Sequence, residues 1–171
     1  RDFNFSVEEA QFNCLGWESG QRHLMVNREG FNFEISDYSL GCEVKSTLVV
    51  VSTLAELEAV DAAGKVLLVK GDLAAEQLMP KNFNFYNPEH HQRIIALFEQ
   101  KSPAVLVGAT GHNPELAGAV YPFPLVEDGD FNIPVGHMKD VDGERLAAHA
   151  GEAVDLRIDA RRYPNQAVQV L

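Results

Sequence analysis

The sequence predicts an α+β fold, and three stretches carry the prediction. The first runs from Gly64 to Asp72 and reads GKVLLVKGD. A turn glycine opens it, a near-continuous apolar run follows, and Gly71-Asp72 closes it, which is the mark of a strand buried on both faces. The second, AVLVG at residues 104–108, repeats that pattern in weaker form after a helical segment. The third is residues 1–39, where apolar residues alternate with polar ones between tight turns, the signature of a small β-meander. A buried strand–helix–strand frame beside a β-meander puts both strands and helices around one core.

The remaining elements follow in order. Glu18-Ser-Gly-Gln21 and Asn27-Arg-Glu-Gly30 read as turns of the meander, and Phe31, Phe33 and Ile35 as one face of a half-buried strand. Residues 36–46 read as loop and edge strand, and Thr47–Val51 as a central β-branched strand. Thr53 and Glu56 form a capping box that opens a short helix to about Val60. Asp72 can cap another short helix that stops before Pro80. Asn87 is a good N-cap, with Pro88 as first helical residue, for a helix whose inner face is His91, Ile94, Ile95 and Phe98. Ile133-Pro-Val135 reads as a short strand. Asp140 or Asp142 caps a helix to about Ala150, with Gly151 closing it. Val154, Leu156 and Ile158 then alternate with charged residues, and Tyr163-Pro-Asn-Gln166 reads as a turn before AVQVL.

The chain has 171 residues and an ordinary apolar fraction of 46%, enough for one domain with a core. Its 25 acidic against 14 basic residues give a net charge of −11, which excludes the basic footprint that nucleic acid requires and argues against an anionic membrane surface. No apolar run is long enough to span a bilayer. Residue 1 is Arg rather than Met, so the expectation is a native start further upstream, and the compartment stays open. Cys14 and Cys42 are expected as buried free thiols rather than as a bridge.

The catalytic motifs are negative. Ser39 and Ser102 have no base placed beside them, and no nucleophile elbow, Cys-x-x-Cys pair or phosphate loop occurs. Glu89-His90-His91 invites a metal, but adjacent helical histidines point about 100° apart, so His91 is expected to be a buried, hydrogen-bonded residue. Helix breakers interrupt His112/Glu115 and His149/Glu152. Glu127-Asp-Gly-Asp130 carries too few oxygens for a calcium loop and reads as a solvated turn. Two loops remain, one aromatic (80–88) and one rich in proline and glycine (109–132). Together they nominate Asn82, Phe83, Phe85, Tyr86, Tyr121, Phe123, Asp128 and Asp130 as substrate or interdomain contacts.

The order of pieces resembles the protease-associated domain. It runs Gly64-Lys65, Lys70-Gly71, a helix, Ala104–Gly108, Ile133-Pro-Val135, Asp142-Gly143, then Val154–Ile158, covering roughly residues 40–160. YSLGCEV, EQLMPKNFNFYNPEHHQRII and YPFPLVEDGDFNIP further resemble bacterial zinc-dependent aminopeptidases related to glutamate carboxypeptidase and the transferrin receptor. The family often has an Arg where this chain has Lys70.

The resemblance implies a swivelling β/β/α fold, a mixed sheet or open barrel with flanking helices, with residues 1–39 as an N-terminal meander or linker, 40–160 as the domain, and 161–171 as the start of a following catalytic domain. It implies a non-catalytic role, framing a metallopeptidase cleft and aiding substrate selection or protein contacts. No His-x-Asp occurs, so no cofactor is expected in this chain, and zinc belongs to the catalytic domain. The implied partners are that peptidase domain, a peptide substrate and a second copy in a homodimer, with neither nucleic acid nor membrane among them. The alternative is a stand-alone peptide- or ligand-binding module.

Overall fold

The computed structural model describes residues 9–110 and 123–170. Eight strands form one mixed sheet curled into a half-barrel, as the α+β expectation requires. They are β1 (Glu9–Val26), β2 (Glu29–Gly30), β3 (Glu34–Ile35), β4 (Cys42–Val51), β5 (Val66–Val69), β6 (Val105–Thr110), β7 (Val135–Lys139) and β8 (Ala153–Val170), in the order β2-β1-β8-β4-β5-β6-β7-β3. The helices are α1 (Leu54–Ala59), α2 (Glu89–Lys101) and α3 (Asp140–Ala147).

The GKVLLVKGD stretch sits mid-sheet as β5, with all four residues fully buried. Alternation along a strand explains its unbroken apolar run. Leu67 and Val69 face a core with Leu57, Phe98, Leu125 and Phe131. Val66 and Leu68 face a second core with Leu24, Phe31, Phe33, Leu146 and Leu156. β4 joins the two halves of the sheet. Its first part pairs antiparallel with β8 and its last four residues pair parallel with β5. Residues 42–46, read as an edge strand, are thus continuous with the central strand.

The helices follow their local signals in part. At α1, Thr53 Oγ1 accepts from Glu56 N (3.3 Å) while the Glu56 carboxylate accepts from Thr53 N (3.2 Å). In α2, His91, Ile94, Ile95 and Phe98 are all buried as expected, but Pro88 is the N-cap. The Asn87 amide instead donates to Lys81 O (3.0 Å), holding the preceding loop. Lys139, not an aspartate, takes the cap position of α3. The helix read after Asp72 shrinks to one 3-10 turn, Gly71–Ala74. Gly143 brings α3 onto β6 so closely that a Cβ there would lie 2.2 Å from that of Ala109.

The largest departure concerns β1 and β8. They pair antiparallel from Glu9↔Val170 to Val26↔Val154, with a register shift between Ser19 and Arg22. The turn signals at 18–21 and 163–166 therefore lie inside strands, and Gly20 sits at the irregularity. β4 accompanies β8 only to Ile158, so Pro164 stands where β8 has a free edge, a place that tolerates a missing N–H. Strands from 1–39, 40–160 and 161–171 all enter this one sheet. Cys14 lies opposite Asn165 and Cys42 opposite Ile158, about 23 Å apart along β8, so both thiols are free. They are half-buried, and burial pushes the Cys42 thiol up to about 11.

Buried polar groups are mostly paired. Ser39, fully enclosed, donates to Leu40 O and accepts from Val135 N (2.8 Å), which removes it as a nucleophile. His137 meets Ser36 Oγ at 3.3 Å. Burial lowers its pKa, aided by Arg22 and opposed by Glu34 and Asp37. Below the ordinary histidine value of about 6.5, the unfolded chain takes up a proton that the folded chain resists. Stability is therefore full above that value and falls as pH drops through the window beneath it, by at most about 1.4 kcal/mol per pH unit. Denaturant unfolding at several pH values should show a shallower decline for His137→Gln than for the wild type. Identical slopes would refute this assignment.

Candidate functional site

The nominated loops are built on a pair of chain segments running side by side. Leu78 bridges to Val126, and its N–H donates to Leu125 O (2.8 Å). Lys81 ties the next residues together. Its N–H donates to Asp128 Oδ2 (2.9 Å), and its ammonium donates to Asp130 O (2.6 Å) and Glu99 Oε1 (2.7 Å). The Asn82 amide donates to Asp130 Oδ2 (2.7 Å). Asp128 is 8% exposed and also accepts from Asp130 N (2.8 Å). The acidic stretch is thus a hydrogen-bonded turn, with Asp128 directed inward and Asp130 at the surface.

This frame carries exposed aromatics. Phe85 is 93% exposed, Tyr86 57% and Phe83 44%. Phe83 and Phe85 pack edge to face at 6.1 Å between centroids, and Tyr86 meets His91 at 6.4 Å. Phe123 is 71% exposed and anchored separately, its carbonyl accepting from Thr110 Oγ1 (2.7 Å) at the end of β6. The structure therefore joins Asn82, Phe83, Asp128 and Asp130 in one unit. Tyr121, like His112 and Glu115, lies outside the described residues. Apolar rings exposed on a tied backbone suit a contact surface, because little ordering entropy is lost on binding.

The sequence reading missed the residue that couples this unit to the sheet. Arg162, on β8, donates to Gly129 O (2.6 Å), Phe131 O (2.6 Å), Asp128 O (3.3 Å) and Tyr38 O. Partial burial lowers its pKa from the usual arginine value, with Asp128 and Asp130 opposing. Beside it, a Cβ on Gly129 would lie 2.7 Å from Leu15 Cδ2. The β1–β8 ribbon thus rests on the acidic turn. An arginine immediately before a presumed turn at 163–166 carried no sequence signal for this clamp.

The adjacent histidines converge rather than diverge. His90 Nε2 and His91 Nε2 lie 3.1 and 3.0 Å from the same Glu76 oxygen, the one three-residue group of metal-ligand type among the described residues. The donor set does not fit a metal. His91 Nδ1 accepts from Met79 N (3.2 Å), which places the ring proton on Nε2, toward Glu76. A cation on Nε2 would force a proton onto Nδ1, against the Met79 N–H. The cluster is instead a hydrogen-bonded clasp at the start of α2. Hydrogen bonds from His91 and then His90 hold the Glu76 carboxyl below its ordinary value. Lys70, just past β5, reaches Glu144 Oε2 at 2.5 Å.

No protein-family profile and no curated protein matches the sequence. Solved structures do share the fold. An aminopeptidase from Aneurinibacillus sp. strain AM-1 aligns with TM-score 0.60 and 17% identity, over 96% of this chain and 37% of its own. A peptidase M28 precursor from Shewanella amazonensis SB2B aligns with TM-score 0.62 and 13% identity, over 96% of this chain and 40% of its own. A subtilisin-like protease from Pseudoalteromonas sp. AS-11 aligns with TM-score 0.53 and 13% identity, over 84% of this chain and 34% of its own. The chain thus spans well under half the length of each. At these identities the likeness is one of fold.

Proposed function

We propose that this chain is a protease-associated accessory domain of a zinc-dependent aminopeptidase, taking no part in bond cleavage and framing the substrate cleft of a peptidase domain in the same polypeptide. The observation that carries this reading is the recurrence of one α+β unit, as a minor share of the chain, in proteins described as an aminopeptidase, an M28 peptidase precursor and a subtilisin-like protease. A unit common to differently described peptidases fits a role beside the chemistry better than one within it. The motif order over residues 40–160 supports the same reading.

In this role Phe83, Phe85 and Tyr86 meet the distal part of a peptide or the neighbouring domain, and the Lys81–Asp128 turn keeps them in place. The test uses the polypeptide that joins this chain to its peptidase domain. Replacing Phe83, Phe85 and Tyr86 by alanine should lower kcat/KM for long peptides about tenfold, equivalent to about 1.4 kcal/mol. A single-residue chromogenic substrate should be turned over as before. Equal effects on both substrates would remove the cleft-framing role. Peptide hydrolysis by the 171-residue chain alone would overturn the non-catalytic reading altogether.

A further inference from the structure

Two rings of this protein carry a guanidinium from its own chain. Arg145 lies over Phe31 at 5.3 Å and Arg161 over Tyr163 at 5.9 Å. Among the described residues no guanidinium lies over Phe83, Phe85 or Tyr86, although Phe85 is almost fully exposed. Lys81, the cation of this loop, is held by Glu99 Oε1 and Asp130 O. The backbone under the rings is fixed at both ends. Phe83 N donates to Pro80 O (3.0 Å), and the Asn87 amide donates to Lys81 O (3.0 Å). The rings are thus presented to solvent, already placed, with no cation of the chain over them.

The charge of the loop and of the segments tied to it is negative. Lys81 pairs with Glu99, and Arg93 on α2 pairs with Glu58, so both pairs cancel. The carboxylates of Glu76, Glu89, Glu127, Asp128 and Asp130 remain. Against them stands Arg162, held by main-chain carbonyls and acting through space on Asp128 and Asp130. Four negative charges are left among the described residues, and two would remain even with His90 and His91 both protonated. Asp130 is the exposed member nearest the rings. Its Oδ2 accepts from the amide of Asn82 (2.7 Å), the neighbour of Phe83, and among the described residues its Oδ1 has no hydrogen-bond partner.

We propose that this loop selects an arginine side chain in the peptide that lies across it, with the exposed rings taking the guanidinium and its stem and the Asp130 carboxylate accepting from it. A guanidinium is attracted to the face of an exposed ring, and its planar fork suits a carboxylate close by. Its methylene stem covers apolar surface at the same time. The unmatched carboxylates draw in a basic peptide and repel an acidic one. The proposal rests on the contact of this loop with a peptide argued above, and adds which peptide the loop prefers.

The test titrates the 171-residue protein at low salt, following the aromatic ring signals by NMR. One peptide is acetyl-Ala-Ala-Arg-Ala-Ala-amide, and the other carries citrulline in place of arginine, which keeps the shape and removes the charge. The arginine peptide should shift the signals of Phe83, Phe85 and Tyr86 saturably, and bind at least about fivefold more tightly than the citrulline peptide. Asp130→Asn keeps an acceptor for Asn82 and loses the charge. It should weaken the arginine peptide about threefold and leave the citrulline peptide and the ligand-free ring signals unchanged. Absence of a saturable shift, equal binding of the two peptides, or wild-type affinity in Asp130→Asn would each overturn the proposal. The result is separable from the kinetics of long and short substrates: equal effects there remove the cleft-framing role, whereas equal binding here removes the preference for arginine alone.

Discussion

Replacing Arg162 by alanine should cost about 3 kcal/mol of stability, a large part of the total for a domain of this size. The guanidinium donates to four carbonyls at Tyr38, Asp128, Gly129 and Phe131. Each hydrogen bond to a charged group contributes about 1.5–3 kcal/mol. The sum is not realised because water can reach the part-buried carbonyls once the side chain is gone. Lysine should recover less than half, since a single ammonium cannot reproduce the planar fork. Denaturant unfolding measures the loss, and hydrogen exchange should show faster exchange at Asp130 and Phe131. A loss under about 1 kcal/mol with unchanged exchange would show that the clamp is incidental.

Gly143→Ala should destabilise by about 2 kcal/mol, although alanine is the better helix former. The helix preference favours alanine by about 1 kcal/mol. Against it stands a Cβ placed 2.2 Å from the Cβ of Ala109, which belongs to β6 and cannot swing aside, and overpacking of this kind costs typically 1–3 kcal/mol. Moving α3 off β6 also uncovers Leu146, which is fully buried. The double variant Ala109→Gly/Gly143→Ala should recover most of the loss, and a double-mutant cycle measures it. A stabilised Gly143→Ala single variant would mean that α3 sits further from the sheet than described.

Which features were legible in the sequence follows from how local their causes are. The capping box of α1 and the inner face of α2 depend on residues within a few positions of one another, and both stand as read. β5 was legible because burial on both faces demands an unbroken apolar run. The long strands were not. Glu-Ser-Gly-Gln and Tyr-Pro-Asn-Gln are sound turn signals locally, but pairing along β1 and β8 outweighs them. Among the candidate site residues, the aromatic loop was visible as composition. Lys81 and Arg162, which hold it in place, act through backbone carbonyls far away in sequence and leave no pattern.

The pairing of Glu9 with Val170 has a mechanical consequence. Tension applied to these two residues in opposite directions loads the β1–β8 ribbon one rung at a time, the weakest geometry in which to pull a sheet apart. Peeling should proceed easily through the outer rungs, which carry no lateral support from β4. It should then meet resistance near Leu15–Trp17, where the Trp17 indole holds Ser39 O (2.9 Å) and Arg162 grips the acidic turn. Below that stop the parallel strands β4–β7 and both cores stay closed, so the ribbon acts as a compliant tether on a stiff body.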